Sequence, residues 1–469
     1  MAIRLKQAGI NDFVIFERAA DLGGTWRDNT YPGCQCDVES NLYSYSFAPS
    51  PRWSRTYAPQ AEIWEYLRAC ARKFELEKHI RYQHEVQSAT WDEAATRWRI
   101  ETTAGRFSAD LLVAATGPLS EPSIPAIRGL AEFAGPQFHS GAWDHEVDLA
   151  GKRVAVVGTG ASAIQFVPRI QPKAAQLYLF QRTPPWVLPH RDRPVRGLAQ
   201  ALYRTVPGWQ LLVRSFVYWS HELFVIPFMK PSPISLPERL ARAHLERQVA
   251  DPGLRARLTP RYAIGCKRIL ISNAYYPAVQ QSNVELVSDD IREVRGRSIV
   301  TSDGHERVVD VIILATGFRV TEMPFASRVT GRGGKCLADE WSPSPAAYRG
   351  MAVAGFPNLF FLLGPNTGLG HTSVLVMVEA QLRYVMGSLR HLERSGMSAI
   401  EVRREAQDAF NSDVQSRLRD TVWNAGGCRS WYLDSTGRNT TIWPGMTWPY
   451  VNMLRRFDPA AYHLTQRTT

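Results

Sequence analysis

The residues best suited to chemistry are Gly158 and Gly160, in the run Gly158-Thr159-Gly160-Ala161-Ser162-Ala163. The run follows the apolar stretch KRVAVV and precedes a helix-like segment. A Gly-x-Gly-x-x-Ala between strand and helix carries information that the same letters elsewhere do not. Its glycines permit a tight turn and close backbone approach, and the free N–H groups of the helix start suit a pyrophosphate. About 20 residues on, at the end of the next strand, such a site contacts the adenosine ribose. An acid there would accept from a 2′-hydroxyl. This chain has Gln181-Arg182-Thr183, and arginine suits a 2′-phosphate. The loop reads as an NADP site, set against the plainer reading of a glycine turn with no ligand.

Glu17 shows the same logic in reverse. It ends the apolar run Phe13-Val14-Ile15-Phe16, where a dinucleotide fold places its ribose-binding acid. Counting back about 20 residues to the matching glycine loop passes Met1. Either Glu17 is an incidental surface acid, or the strand and Gly-x-Gly-x-x-Gly that precede it are absent from this polypeptide. Residues 2–8 read as the tail of a helix stopped at Gly9, so the chain is expected to open in mid-unit. Lys267-Arg268, after Gly265-Cys266, sets two cations side by side, which alone suggests only a solvated basic pair. The six cysteines are too scattered for a disulfide framework, and reduced thiols are expected. Cys34-x-Cys36 lacks a second ligand pair, so no metal site is expected.

These groups need elements to position them. The sequence predicts a helix over 59–79 and strands over 84–91, 96–103 and 106–115, the last closing with Ala114-Ala115-Thr116-Gly117. Pro118, Pro122 and Pro125 mark an extended linker. A second unit starts at Gly151, with a strand, the glycine loop, a helix to about Ile170 and a strand over 177–181. Residues 195–260 read as helices rich in Trp, Tyr, Phe, Leu and Arg. Strands resume at 284–287 and 308–314, the latter closing with Ala315-Thr316-Gly317, and another lies at 358–363. The alternation and the repeated Ala-Thr-Gly predict an α/β protein with two Rossmann-like dinucleotide-binding domains. Residues 1–150 and 319–469 form one, and 151–318, inserted within it, the other.

Composition agrees. The 469 residues are 45% apolar and 21% charged, a globular mix. A net charge of +11 favours anionic ligands, yet over this length it argues little for nucleic acid. The N-terminus has no signal-peptide core. The most apolar stretch, 209–229, is broken by Arg214, His221, Glu222 and Pro227, so no transmembrane segment is expected. A soluble cytoplasmic protein is the expectation.

Two longer patterns carry a resemblance. Phe133, Gly135, His139 and Trp143, in FAGPQFHSGAWD, are similar to the F-x-G-x-x-x-H-x-x-x-W fingerprint of Baeyer–Villiger monooxygenases. Gly24, Trp26, Tyr31, Pro32, Gly33 and Asp37, in GTWRDNTYPGCQCD, resemble that family's companion pattern. The broader flavin-containing monooxygenases share part of the fingerprint without its Trp. The resemblance covers most of the chain. It implies FAD in the first domain, with Glu17, Gly24, Thr25, Trp26 and Asp37 among its contacts. It implies NADPH at Gly158, Thr159, Gly160, Ala161, Ser162, Arg182, Thr183 and Lys267. It implies insertion of one oxygen atom of O2 into a ketone, through a peroxyflavin, to give an ester or lactone. In this family Arg268 is the mobile arginine beside the flavin, and Asp37 the carboxylate that orients it. His139 and Trp143 then couple domain positions rather than move protons. The stretch 195–260 becomes the helical insert of the NADPH domain, its aromatics forming a small core and a tunnel wall. A membrane-surface or nucleic-acid patch is the alternative reading of that stretch. The loop 364–373 (GPNTGLGHTS) and the tail with Cys428, Trp431, Tyr432, Asn439 and Trp443 depart from the best-known ketone-oxidising members. Oxidation of a thioether or amine therefore stands as an alternative, as does a non-catalytic NADP-binding protein that has lost its flavin.

Overall fold

The computed structural model describes residues 1–230 and 235–466. Helix α1 (Ala2–Gln7) stops at Gly9, whose φ of 80° needs a residue without Cβ. Then come β1 (Ile15–Phe16), the short α2 (Thr25–Asp28), α3 (Gln60–Lys73) and β2 (Ile80–Arg81). β1 runs parallel to β2 with Ile15 opposite Ile80. The segment 13–16 is less buried than its apolar run predicts, because β1 has one hydrogen-bonded neighbour and Val14 is 38% exposed.

An antiparallel meander follows, Val86–Asp92, Arg97–Thr102 and Gly105–Ala109, with Val329–Thr330 added parallel to its first strand. The strand expected over 106–115 is in fact two. Gly105–Ala109 ends the meander, and β3 (Leu112–Ala114) turns away into another sheet.

The largest sheet is parallel and five-stranded. It comprises β4 (Gln137–His139), β5 (Arg153–Val157), β6 (Gln176–Phe180), β7 (Val284–Val287) and β8 (Val311–Leu314), in the order β7-β6-β5-β8-β4. Its central strands are unbroken apolar runs, buried on both faces as a covered parallel sheet requires. α4 (Ala163–Ile170) leaves the glycine turn after β5 and packs through Phe166 and Val167. β4 corrects the expected boundary at 150. It comes from the stretch read as a linker in the first unit, yet His139 lies opposite Leu314 of β8. The proline-rich run pairs with the segment just after β8, where Ser123 N–H donates to the Gly317 carbonyl at 2.9 Å, before β4 joins the edge of β8.

Helices α5 (Gly197–Thr205), α6 (Trp209–Phe224), α7 (Ile226–Met229) and α8 (Leu236–Gln248) occupy the helical stretch. β9 (Leu359–Phe361) pairs in parallel with β3, and a loop leads from it into α9 (Val374–Ser395), capped by the Ser373 hydroxyl. Among the described residues, parallel pairs outside the five-stranded sheet also include β1 with β2, β3 with β9, and Val187–Leu188 with Leu270–Ile271. No described helix is long and apolar enough to cross a membrane.

Cysteine chemistry differs from expectation in one place. Cys266 and Cys428 form a disulfide, with Cα atoms 6.2 Å apart. Their separation of 162 residues hides the pair from any spacing rule. The turn at 263–266 packs against 426–428, where Ala263 N–H donates to the Gly426 carbonyl at 2.9 Å. The other four thiols are free, Cys34, Cys36 and Cys70 being buried.

Gly135, in the approach to β4, has no room for a side chain. A Cβ there would lie 2.6 Å from the Asp310 carbonyl oxygen and 2.8 Å from the Phe133 ring. Gly135→Ala is expected to destabilise the fold by about 1–3 kcal/mol, the usual cost of overpacking. Gly160→Ala, which opens onto empty space, should leave stability within about 0.5 kcal/mol of the parent. Thermal or urea unfolding of the two variants checks the contrast.

Candidate functional site

β5 ends in the glycine turn. Gly158 adopts φ 108°, and a Cβ there would sit 2.5 Å from the Ala315 carbonyl oxygen, so the backbone can close only around glycine. Thr159 is buried, while Gly160, Ala161 and Ser162 lead over open space into α4. At the end of β6, Arg182 and Thr183 are exposed. Lys267, far away in sequence, donates from Nζ to Thr183 Oγ1 at 2.7 Å. Burial and then the nearby Arg182 charge lower the pKa of the Lys267 ammonium, and no carboxylate offsets them. Two cations held together without an acid fit a phosphate dianion.

The next residue reaches the other way. Arg268 donates to Asp37 Oδ2 from Nε at 2.9 Å and Nη2 at 2.7 Å, and from Nη1 to the Leu369 carbonyl at 2.9 Å. Burial works against its charge, but Asp37, with Tyr432 nearby, raises its pKa above the ordinary value. Arg268 therefore bridges the extended segment at 37 and the loop after β9.

A second bridge runs beside the first. Glu39 accepts from His221 Nε2 at 2.7 Å and from the Tyr57 hydroxyl at 3.3 Å, while His221 Nδ1 meets the His371 carbonyl. A carbonyl and a carboxylate have no proton to offer, so both ring nitrogens donate and His221 is an imidazolium here. Burial opposes that charge, but the bond and charge of Glu39 and the His371 carbonyl outweigh it and raise the His221 pKa. Segments 37–39 and 369–371 are thus tied twice, once by a permanent cation and once by a titratable one.

Behind this lies a fully buried pair. His371 Nε2 stands 3.2 Å from Glu222 Oε1, and Glu222 also accepts from Thr447 N–H and Oγ1, both at 2.7 Å. Burial lowers the His371 pKa against the opposing bond and charge of Glu222, which its Nε2 faces. Its Nδ1 and the Thr372 hydroxyl are left buried without a partner at the start of α9.

The other expected residues fall in separate places. Glu17, at the end of β1, accepts from Ala19 N–H at 2.9 Å and from Arg27 Nη1 at 3.0 Å. Gly24, at φ 50°, opens α2 with Thr25 and Trp26, and the Trp26 indole donates to the Tyr43 hydroxyl at 3.1 Å. Phe133 is buried under the five-stranded sheet. His139 ends β4. Its Nδ1 accepts from Gly141 N–H at 3.0 Å, its ring stands edge-on to Phe318, and burial lowers its pKa. Trp143 packs on Phe138 and on Phe166 of α4, each at 5.1 Å between centroids. The fingerprint is therefore an edge strand with its clamps. Among the described residues no cluster of His, Cys, Asp and Glu could hold a metal ion.

Sequence reasoning missed Glu39, His221, Glu222 and His371. A signal for two of them existed. His221 and Glu222 interrupt an apolar stretch, and polar residues in such a helix mark the face turned to a site.

The flavin-binding monooxygenase-like family matches residues 7–330. A Baeyer–Villiger monooxygenase of Streptomyces coelicolor is 50% identical over 465 residues, covering 99% of this chain and 90% of its own length. One of Pseudomonas aeruginosa is 47% identical over 468 residues, covering 99% and 89%. An OTEMO complex with FAD and NADP superposes with a TM-score of 0.87 at 25% identity, over 99% of this chain and 96% of that one. Cyclohexanone monooxygenase from Rhodococcus sp. Phi1, bound to NADP+, gives 0.86 at 28% identity over the same shares.

The His221 bridge makes stability depend on pH. A neutral ring keeps only one of the two donors. Because the folded pKa is raised, the bridge is complete below the ordinary histidine pKa of about 6.5 and is lost as pH rises through the raised value. His221→Gln should cost roughly 1–3 kcal/mol at mildly acidic pH, and the gap from the parent should shrink as the medium becomes alkaline. Melting curves of both proteins across that range test the sign.

Proposed function

The chain belongs to the flavin-binding monooxygenase-like family, and on that premise we propose an NADPH- and FAD-dependent Baeyer–Villiger monooxygenase that inserts one oxygen atom of O2 into a ketone to give an ester or lactone. The observation that carries this reading is the dipeptide Lys267-Arg268. Its first side chain bonds Thr183 at the end of β6 and its second is fixed on Asp37.

Residues fit both cofactors. Gly158, Thr159, Gly160, Ala161 and Ser162, leading into α4, would hold the pyrophosphate of NADPH. Arg182, Thr183 and Lys267 would hold its 2′-phosphate; their uncompensated charge is the fit. For FAD, Glu17 would bind the ribose, with Gly24, Thr25, Trp26 and Asp37 along the cofactor. The unpartnered His371 Nδ1 and Thr372 hydroxyl at the start of α9 offer further polar contacts. Bound FAD, once reduced by NADPH, supplies the activation of O2 that no side chain can provide.

The protein's own part is electrostatic. A permanent, partly buried guanidinium lowers the energy of an anionic oxygen beside it. That favours nucleophilic transfer to a carbonyl carbon over electrophilic transfer to sulfur or nitrogen. Asp37 and the Leu369 carbonyl together keep Arg268 aimed. His139 ties the edge of the NADPH sheet to the crossing segment at Phe318, and Trp143 ties it to Phe166 of α4. In this reading residues 1–150 and 319–469 form the FAD domain, with β4 lent to the NADPH domain of 151–318. The enzyme is cytoplasmic and its substrate a small molecule.

Arg268→Ala should lower ester formation by about 100-fold or more, while NADPH oxidation stays within about tenfold of the parent. Lys267→Ala should raise the KM for NADPH by about 10–100-fold, the loss of one charge-assisted bond. Flavin absorbance of the purified chain reports its FAD content. Parallel assays with a cyclic ketone and a thioether then settle the chemistry: turnover of the thioether alone would overturn the reading.

A further inference from the structure

Helix α6 is built inside out. The face it turns to the protein carries its polar residues, beside Val217, Tyr218 and Phe224, which pack on buried clusters. Gln210 donates to Asn41 Oδ1 at 2.9 Å and to the Ser50 carbonyl at 2.6 Å. Arg214 Nη1 donates to the carbonyls of Asn41, Leu42 and Ser44 at 2.7–3.0 Å. His221 and Glu222 make the bonds described above. The face it turns to solvent is apolar. Trp209, Leu212, Phe216, Trp219 and Leu223 follow one another at steps of three and four, and Ile226 of α7 continues the line. That spacing makes a single stripe. Phe216 is 77% exposed, Leu223 62%, Leu212 60% and Trp219 51%. Trp209, Phe216 and Trp219 therefore stand outside the small core expected of this stretch, whereas Tyr218, Phe224 and Phe228 pack against buried clusters. A contiguous apolar strip of this kind is unusual on a soluble monomer and marks a contact face.

Charge decides what the face contacts. Between Arg196 and Lys230 the only acid is Glu222, which is buried. The exposed charges within that span are Arg196, Arg204 and Lys230, all positive, in a chain of net charge +11. A second copy on a two-fold axis would set these like charges against each other. Anionic headgroups would neutralise them while the acyl boundary takes up the Trp, Phe and Leu side chains. α6 has 16 residues and, like every described helix, does not span a membrane. Its geometry is that of a helix lying in the interface plane.

We propose that the outer face of α6 and α7 docks this protein on an anionic lipid surface. Flotation of the FAD-loaded protein with vesicles tests it, and does not depend on which reaction the enzyme performs. The protein should float with phosphatidylcholine vesicles containing phosphatidylglycerol, and much less with phosphatidylcholine alone or in high salt. Phe216→Ser combined with Trp219→Ser should weaken flotation by about tenfold or more, with FAD content and NADPH oxidation unchanged. Arg204→Glu combined with Lys230→Glu should abolish the preference for anionic vesicles. Parent protein that stays with the aqueous fraction, or a serine double variant that floats as well as the parent, overturns the proposal. So does a dimer by light scattering that the serine variant dissolves while vesicles bind neither protein, since the face would then be a self-interface.

Discussion

The contact on which the site depends is the guanidinium of Arg268 against the carboxylate of Asp37. Taking a charge out of water is costly unless it is paired and its remaining hydrogen-bond directions are met. Three parts of the chain converge to do this. The extended segment after α2 brings Asp37, the loop after β9 brings the Leu369 carbonyl, and the tail brings Tyr432. Each is also held from elsewhere. His221 binds the first two again, and the disulfide from Cys266 to Cys428 anchors the tail close to Tyr432.

The same economy explains α6. Its polar inner face is needed because Glu39, the His371 carbonyl and the carbonyls of 41–44 all present acceptors to it. A helix that must answer so many acceptors packs only some apolar residues there, Val217, Tyr218 and Phe224 among them, and has others left over. They fall on the opposite side by the period of the helix. The surface property is thus the geometric complement of the site property.

Much of the architecture was legible in the sequence because it is local. The glycine turn after β5, the helix behind it, and the strand at 284–287 follow from apolar periodicity and turn chemistry. Asp37, Arg182, Lys267 and Arg268 were chosen through pattern and resemblance, and the fold brings Lys267 to Thr183 and Arg268 to Asp37. What could not be read was non-local. β4 joins the sheet because β8 has a free edge, a fact no residue in 133–144 encodes. Cys266 meets Cys428 because two turns pack together, and the strand over 106–115 divides because its halves find different partners. The Glu39–His221 bridge likewise unites residues from two segments whose motifs are unrelated.

Lys267 and Arg268 are neighbours, yet one bonds Thr183, where the proposed reading sets the nucleotide's phosphate, and the other the carboxylate at 37. The residue just before them is covalently fixed to the tail. Mechanically this is a short lever: the fulcrum is at Cys266, and the two arms are adjacent side chains sharing one backbone coordinate. A displacement at the phosphate end is felt at the guanidinium across a single peptide bond. No relay of intervening residues is required, so on the proposed reading the presence of the nucleotide and the pose of the arginine are two views of one variable.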